Sequence, residues 1–479
     1  MEQTTRDPSA RRRGRAPSAR VVIAGGGVAA VEAILALRQL AGSALAIDLI
    51  APENVLADRP SSVAVPFGLG ATAPLDLLDL AWRHDVTVRR GELVSVDAAA
   101  RRARLPRGAE VAYDFLLIAV GARPVPALPG ATTFRGPSDA AAIERLLGDA
   151  AEGRYRRIAF AVPPGATWPL PAYELAIMVA VDLRARGARD VELTVVTPER
   201  DPLWLFGPAA GDALREALSA RGIGLRTGAR SATVRDGVLT LESGEVLPTD
   251  AVVALPTLEG PRVPGLGHDA AGFLPTDAHG RVSGVDRVLA AGDATSFPIK
   301  QGGLATQQAD AAAATIAAEL GAINEAAPFT PVLRGLLLTG GAPLYLRAEL
   351  RPSGAPRTTS GAARRLQGEA SGRALWWPPG KIAGRYLAPY LATARPQALG
   401  AEPLVDRVAR PGPPDGAERE AALELALLLA EEDAAAGDLT LAAQALDAAE
   451  ALSAGPLPAE YAERREQWRK QLARAAGRP

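Results

Sequence analysis

The chain has 479 residues, of which 48% are hydrophobic and 22% are charged, and its formal net charge is −1. This length predicts several domains with hydrophobic cores, and the near-neutral charge argues against nucleic acid as a partner. Because the sequence has no cysteine and only three, widely separated, histidines, it excludes disulfides, thiolate metal sites and cysteine redox relays, and we expect no metal site.

Residues 1–18 form a basic arm that we expect to be disordered and solvated. Contact of its arginines with an anionic membrane or with nucleic acid is the less favoured alternative. No long apolar segment follows the arginines, and no apolar run of about eighteen residues occurs, which argues against a secretory signal and a transmembrane helix. We therefore expect a cytoplasmic protein, with peripheral attachment at the inner face of the membrane as the alternative.

The first structured segment, Ala19–Asn54, predicts a β-α-β unit. Its sequence VVIAGGGVAAVEA places the pattern G-x-G-x-x-A at Gly25, Gly27 and Ala30, between a strand and a helix. In such a turn the first glycine permits a sharp bend, the second leaves room for a pyrophosphate, and the small third residue lets the helix lie close to the strand. Glu53, just past the second strand, is the candidate for binding a ribose. The pattern in this context predicts a bound dinucleotide.

Two later strands also end in glycine turns, at Gly121 in LLIAVGARP and at Gly292 in VLAAGDATSFP. Small residues at the carboxyl ends of parallel strands line the crevice in which α/β sheets bind ligands. Asp293 is suited to accept hydrogen bonds from ribityl hydroxyl groups. Lys300 and the N-terminus of the helix after it would favour the anionic reduced form of a flavin. The alternative is a simple turn followed by a solvated lysine.

Residues 136–261 predict a second α/β unit, whose first helix is closed by Gly187. The turn before that helix, AVPPGATWPLPAYELA, holds Pro163, Pro164 and Trp168 where a dinucleotide-binding unit would carry glycines. Prolines lack the N–H donor and fix φ, so this turn is poorly suited to hold a pyrophosphate. We interpret the second unit as a scaffold with a degenerate nucleotide site, and an unusual mode of NADH binding is the alternative.

The remaining sequence predicts a C-terminal region over residues 326–409 and a linker with a helical tail over residues 410–479. The segment ALWWPPGKIAGRYLAPYLA (Ala374–Ala392) combines aromatic and basic residues. We favour a packed cover over a domain for this segment, with a membrane interface as the alternative. The alanine-rich tail is most simply a packing or oligomerisation hairpin, so a homodimer is one assembly that the sequence suggests.

Taken in order, VVIAGGGVAAVEA, LLIAVGARP and VLAAGDATSFPIKQGGLATQQAD resemble the motifs of two-domain flavoproteins in the pyridine nucleotide–disulfide oxidoreductase superfamily. The resemblance covers about Ala19–Leu320 and implies an α/β fold with two Rossmann-like domains, similar to glutathione reductase. Residues 19–135 and 262–325 would form a discontinuous FAD-binding domain, and residues 136–261 the second domain.

Within the superfamily, the proline-rich turn followed by Tyr173-Glu174 is similar to the sulfide:quinone oxidoreductase and flavocytochrome c sulfide dehydrogenase branch. Type II NADH dehydrogenases are the next relatives. The sulfide enzymes use cysteines beside the flavin, and this chain has none, so the resemblance does not extend to sulfide oxidation through a persulfide.

The resemblance implies that FAD lies along the first domain. By position in the matching motifs, the cofactor-binding residues would be Gly25, Gly26, Gly27, Ala30, Glu53, Arg59, Val94, Ala119, Gly121, Arg123, Gly292, Asp293, Gln301, Gly302 and Gly303. The candidate catalytic residues, as proton carriers near the flavin, are Lys300 and Glu174. Arg59 and Arg123 would bind either the FAD phosphates or an anionic substrate.

We therefore expect an FAD-dependent oxidoreductase that works without cysteine chemistry. Its flavin would take electrons from a small-molecule donor other than a nicotinamide nucleotide and pass them to a quinone or to a redox partner. One alternative is an NAD(P)H:quinone reductase of the type II NADH dehydrogenase kind. The other is a non-catalytic flavin-binding scaffold whose helical tail recruits a partner.

Overall fold

The computed structural model of the chain describes residues 19–56, 59–69, 75–355, 368–394 and 459–476, with isolated positions between 427 and 457. The basic arm and the proline-rich linker expected from the sequence lie outside the described residues. No helix within these ranges is both long and apolar enough to cross a membrane.

The helices are α1 Val28–Ala41, α2 Leu77–Arg83, α3 Ala140–Ala151, α4 Leu170–Ala185, α5 Pro208–Ser219, α6 Gly302–Glu319, α7 Leu387–Ala394 and α8 Ala459–Ala476. The strands are β1 Ala19–Ala24, β2 Leu45–Ala51, β3 Val55–Leu56, β4 Leu75–Asp76, β5 Val86–Arg90, β6 Ser95–Asp97, β7 Arg102–Arg104, β8 Glu110–Ala112, β9 Phe115–Ile118, β10 Arg123–Val125, β11 Thr132–Thr133, β12 Arg157–Ala161, β13 Glu192–Val196, β14 Gly224–Arg226, β15 Ser231–Arg235, β16 Val238–Leu241, β17 Val246–Pro248, β18 Ala251–Ala254, β19 Thr257–Glu259, β20 Val288–Ala290, β21 Val332–Leu337, β22 Leu344–Glu349 and β23 Gly368–Ser371.

The first sheet is parallel, with the strand order β20-β9-β1-β2-β5. Helices α1 and α6 cover one face, and the antiparallel sheet β6-β7-β8 covers the other. Val21, Val22 and Ile23 of β1 are all fully buried because both faces of the sheet are covered. Strand β20 comes from late in the chain, so this unit is discontinuous in sequence.

The second sheet repeats this arrangement with the parallel order β11-β18-β12-β13-β14. Helices α3, α4 and α5 cover one face and the antiparallel sheet β15-β16-β17 covers the other. Helix α4 is followed by Gly187 with φ of 82°, the left-handed conformation expected at that position. The two parallel sheets with helices confirm the predicted α/β class with two Rossmann-like units. The exact domain boundaries stay predictions.

The C-terminal region contains the antiparallel sheet β21-β22-β23, which packs against α4 and α5. Helix α7 packs against α1 of the first unit through the fully buried Leu387. Trp376 is buried, lies edge-on to Tyr345 at 5.1 Å between ring centroids, and donates from Nε1 to the Gly380 carbonyl at 3.1 Å. The part of the aromatic segment around Trp376 therefore packs over the sheet β21-β22-β23.

Candidate functional site

A cavity of about 760 Å³ opens where the carboxyl ends of the two parallel sheets face each other. Its walls come from the turns after β1, β2, β9 and β20 of the first unit and from those after β12 and β18 of the second. Gly335 and Leu336 of β21 close it on the C-terminal side. Ligand crevices in α/β proteins lie at this end of the strands.

The glycine turn after β1 has the geometry that its sequence predicts. Gly25 has φ of 115°, and a Cβ there would collide with the Ala119 backbone, so only glycine fits. Around Gly27 nothing lies within 4 Å of the place that a Cβ would take. Ala30 is fully buried in α1 against the sheet. The turn therefore leaves open backbone directly before a helix.

The N-terminus of α1 faces the cavity. Gly27 precedes the helix and no side chain caps it in the part of the chain that the structure describes, while Val28 and Ala29 line the cavity. The first N–H groups of a helix have no partner within the helix and carry a partial positive charge. This end of the cavity is therefore suited to an anionic phosphate group.

The turn after β20 brings an acid and an amine into the same cavity. Burial raises the pKa of Asp293, and the positive charges of Lys300 and Arg59 act in the opposite direction. Burial lowers the pKa of Lys300 to about 8, while Asp293 and Asp269 act to raise it. The Lys300 Nζ donates to the Thr295 carbonyl and lies 3.9 Å from the centroid of the Phe273 ring. Lys300 can therefore change its protonation state near neutral pH.

Glu174 of α4 forms an ion pair with Lys381, which the sequence did not predict as its partner. Its Oε1 accepts a hydrogen bond from the Lys381 Nζ and another from the Leu338 N–H at 2.9 Å. The side chains of Glu174 and Lys381 are only 1% and 10% exposed, and both line the cavity. Burial raises the pKa of Glu174, and Lys381 opposes the rise. The sequence did not predict this pair, because 207 residues separate its two members.

The structure brings most of the residues predicted from the sequence to this one cavity. Those that line it are Gly25, Gly26, Gly27, Glu53, Arg59, Val94, Ala119, Gly121, Arg123, Glu174, Gly292, Asp293, Lys300, Gln301 and Gly302. Ala30 and Gly303 lie behind the wall in α1 and α6. The side chain of Gln301 also caps α6, accepting from the Leu304 N–H at 2.9 Å. Arg123 is paired with Glu259.

The turn after β12 has the opposite chemistry from the glycine turn. Pro163 and Pro164 follow the strand, and Pro169 and Pro171 flank the first residue of α4. Each proline removes an N–H donor that a phosphate would need. Trp168 lines the cavity and packs edge-on against Phe206 with 5.9 Å between ring centroids.

Glu199, which sequence reasoning missed, lies just after β13, where a Rossmann unit carries its ribose-binding acid. It accepts a hydrogen bond from the hydroxyl of the fully buried Tyr173 at 2.5 Å. Burial raises the pKa of Glu199 to about 6, although the hydrogen bond from Tyr173 opposes the rise. Glu199 is not among the described residues that line the cavity. Its position after the strand in VELTVVTPE was the signal that could have found it.

The chemistry of the cavity distinguishes between kinds of ligand. Within the described ranges, no group of three or more His, Asp or Glu side chains is placed to hold a metal ion. The open backbone at Gly27, the uncapped N-terminus of α1 and the acid at Asp293 instead suit a long, anionic, hydroxyl-rich ligand. FAD has these properties.

Comparison with curated proteins gives relatives of moderate identity. A NADH dehydrogenase-like protein of Mycobacterium tuberculosis strain CDC 1551 / Oshkosh is 31% identical over 300 residues, which cover 57% of this chain and 72% of the relative. The counterpart from strain H37Rv has the same identity and coverage.

Comparison with solved structures shows the same fold at lower identity. The sulfide:quinone oxidoreductase of Aquifex aeolicus matches with a TM-score of 0.67 and 18% identity, over 83% of this chain and 96% of that chain. A ferredoxin reductase of Rhodopseudomonas palustris matches with a TM-score of 0.56 and 20% identity, over 74% of this chain and 91% of that chain.

The sequence also matches the family described as pyridine nucleotide-disulphide oxidoreductase over residues 19–314, which is more than half of the chain. The match spans both parallel sheets and every turn that lines the first-unit side of the cavity. Members of this family are FAD-binding flavoproteins, and FAD is a ligand that the chemistry of the cavity suits. The chain therefore belongs to the pyridine nucleotide-disulphide oxidoreductase family and is an FAD-dependent oxidoreductase.

Proposed function

We propose that this oxidoreductase takes electrons from a small donor other than a nicotinamide nucleotide and delivers them to a quinone or another acceptor, without cysteine chemistry. The proposal that the electron donor is not a nicotinamide nucleotide rests on the hydrogen bond between Tyr173 and Glu199. An acid that binds a ribose must present its oxygens to the ligand. Here one carboxylate oxygen of the partly buried Glu199 accepts from Tyr173, and Glu199 is not among the described residues that line the cavity.

The proline turn supports the same proposal independently. A dinucleotide bound to the second unit would place its pyrophosphate at the N-terminus of α4. Pro169 and Pro171 leave Leu170 as the N–H donor between them. A phosphate at this place would lack the hydrogen bonds that offset its loss of water.

The wall that the second unit and the C-terminal region give to the cavity is largely apolar. It includes Trp168, Leu170, Leu255, Leu258 and Leu336. A planar, apolar acceptor such as a quinone fits a wall of this composition. The Aquifex aeolicus structure of similar fold is that of a sulfide:quinone oxidoreductase, which is consistent with this acceptor class.

Reduction of a quinone to a quinol consumes protons as well as electrons, so the site needs groups that hold protons beside the acceptor. FAD, when bound, supplies the two-electron redox chemistry. Lys300, whose pKa burial lowers to about 8, holds a proton that it can release near neutral pH. Glu174 and Lys381 provide a second place where a proton can reside at the cavity wall.

An NAD(P)H:quinone reductase is the second candidate, because the curated mycobacterial relatives at 31% identity are described as NADH dehydrogenase-like. The two candidates share the acceptor and differ in the donor. Under the second one, NADH would bind without the phosphate donors and without the ribose-binding acid of the second unit.

The acceptor is tested by reducing the bound flavin photochemically without oxygen and mixing it with a soluble quinone. We expect the oxidised flavin spectrum to return within seconds, together with one quinol per flavin. The Lys300→Met variant should reoxidise more slowly at pH 7, because the site loses an ionisable amine. A reduced flavin that stays reduced with excess quinone, yet is reoxidised by ferricyanide, would contradict a quinone acceptor.

A further inference from the structure

The position of Lys381 at the cavity depends on the chain that follows it. This chain, residues 381–387, is called the anchor segment here. It leaves the cavity wall at Lys381 and reaches Leu387, the fully buried first residue of α7. Ile382 is also buried, in the same cluster as Leu387. Whatever holds the anchor segment against the first unit therefore also holds Lys381 beside Glu174.

A buried acid of α1 holds the anchor segment through its backbone. The Glu32 carboxylate accepts hydrogen bonds from the N–H groups of Tyr386 at 2.8 Å and Leu387 at 2.7 Å. Glu32 is fully buried. The segment approaches so closely at Gly384 that an added Cβ would collide with the Glu32 carboxylate.

A second acid, Asp310 of α6, lies against the first, within hydrogen-bonding reach of Glu32. Its Oδ1 is buried without a hydrogen-bond partner among the described residues. Two carboxyl groups can form a hydrogen bond only when one of them carries a proton. Burial and the charge of Glu32 raise the pKa of Asp310 well above its ordinary value.

The surroundings of the two acids favour the proton on Asp310 and the charge on Glu32. Burial also raises the pKa of Glu32, but the N–H groups of Tyr386 and Leu387 favour its ionised form. From the anchor segment, the charged and titratable groups at the pair are the Arg385 guanidinium, which acts against the rise at Asp310, and the Tyr386 phenol. From α1 and α6 they are Glu32 and Asp310 themselves.

We propose that Glu32, with Asp310 against it, is a positioning residue that holds the anchor segment and thereby places Lys381 against Glu174 at the cavity. The inference rests on the proposed function only for the importance of Lys381 to that site. Neither acid lines the cavity, so both act through the segment.

The direction of the pH effect follows from the raised pKa of Asp310. In the closed state the anchor segment lies against the first unit, and in the open state it has left it. A group that binds its proton more tightly in the closed state stabilises that state fully below the ordinary pKa of the group, and this stabilisation is lost as pH rises through the raised pKa. Between the ordinary and the raised pKa of Asp310, the equilibrium constant for opening of the anchor segment increases by up to about tenfold for each pH unit. At pH values where Glu174 stays ionised with or without Lys381, Lys381 should leave Glu174 more often as the solution becomes more alkaline.

The chain offers a direct readout, because its three lysines are Lys300, Lys381 and Lys470. Lys381 has a side chain 10% exposed, whereas that of Lys470 is 66% exposed. The flavin-loaded, oxidised full chain is treated briefly with an amine-acylating reagent at several pH values, and the labelled peptides are quantified by mass spectrometry. The ratio of labelling at Lys381 to that at Lys470 cancels the intrinsic pH dependence of an amine.

In the wild type we expect this ratio to rise with pH by up to about tenfold per unit. The Asp310→Asn variant keeps a donor for Glu32 and has no proton to lose, so its ratio should stay low and flat. The Glu32→Gln variant keeps one acceptor oxygen for two N–H groups and should show a higher ratio at every pH. Glu319→Gln, which removes an exposed acid of α6 paired with Arg281, is the matched control and should follow the wild type.

A wild-type ratio that does not change with pH would overturn the inference. So would an Asp310→Asn variant that keeps the wild-type pH dependence, or a Glu32→Gln variant that labels like the wild type. The measurement uses resting protein and needs no electron donor or acceptor. Its failure is therefore distinguishable from failure of the proposed function.

Discussion

The two strand-to-helix turns at residues 25–27 and residues 163–171 occupy equivalent places in their sheets and have opposite chemistry. The first presents open backbone at Gly27 and an uncapped helix N-terminus to the cavity. The second replaces backbone donors by prolines, and its Trp168 packs on Phe206. The same β-α-β architecture therefore offers a phosphate open backbone and free helix N–H groups at the first turn, and prolines at the second.

The acids after the second strand of each unit extend the comparison. Glu53, after β2, is exposed and lines the cavity. Glu199, after β13, is half-buried and accepts a hydrogen bond from the Tyr173 hydroxyl. The acid of the first unit thus faces the cavity, whereas the acid of the second unit is hydrogen-bonded within its own unit.

The largest effect is expected at the first turn, from Gly27→Val. The new side chain meets no protein atom within 4 Å of its Cβ position, so the free energy of unfolding of the apoprotein should fall by only about 1 kcal/mol, the cost of replacing glycine at a helix N-cap. The side chain fills the approach of the pyrophosphate, so flavin content should fall by at least about tenfold. The absorbance ratio of flavin to protein measures this. Gly267→Val, also at an open position, should keep its flavin. A Gly27→Val protein with a full complement of FAD would contradict the assignment of this turn.

The next effect concerns the helix after the second turn, which uses Glu174 to hold the C-terminal region. Lys381→Met leaves the carboxylate of Glu174, 1% exposed, without its cation. We expect the free energy of unfolding to fall by about 3 kcal/mol, measured by urea denaturation at pH 7.5. The double variant Glu174→Gln/Lys381→Met should recover most of this loss. If the double variant is no more stable than Lys381→Met alone, the pair is not the cause.

A smaller, pH-dependent effect is expected at Glu199. Its pKa is raised to about 6 by burial, so its contribution to stability is complete below its ordinary pKa and is lost as pH rises through 6. The loss of this contribution should lower the free energy of unfolding by up to about 2 kcal/mol as pH rises from 4.5 to 7.5. Glu199→Gln keeps an acceptor for Tyr173 and should remove that part of the pH dependence. Identical pH profiles in the two proteins would show that Glu199 is solvated.

The smallest effect on activity is expected from Pro163→Gly/Pro164→Gly. Stability should fall by about 1–2 kcal/mol, because glycine gives the unfolded chain more freedom. The rate of flavin reduction by NADH should change by less than about threefold, since Pro169, Pro171 and the Tyr173–Glu199 bond remain. Stopped-flow absorbance of the flavin measures this rate. A large gain would mean that these two prolines alone block the nicotinamide nucleotide.

The sequence predicted the features that depend on local pattern. The glycine pattern at Gly25 and Gly27, the strand ends at Gly121 and Gly292, and the class of fold follow from spacing along a few residues at a time. The Glu174–Lys381 and Glu32–Asp310 pairs did not, because their members come from helices and segments that only the packing of the domains brings together. The position of Glu199 after β13 could have been predicted from the sequence, but its hydrogen bond with Tyr173 could not, because it depends on how α4 packs against β13.

The most direct test of the contrast between the two turns is an anaerobic titration of the flavin-loaded protein with NADH, followed by the visible flavin spectrum. We predict that the flavin stays oxidised with excess NADH and is then bleached by dithionite, because the prolines of the second turn remove N–H donors that a pyrophosphate needs. Rapid and stoichiometric bleaching by NADH would contradict this. The second unit would then be a working nicotinamide site despite its prolines.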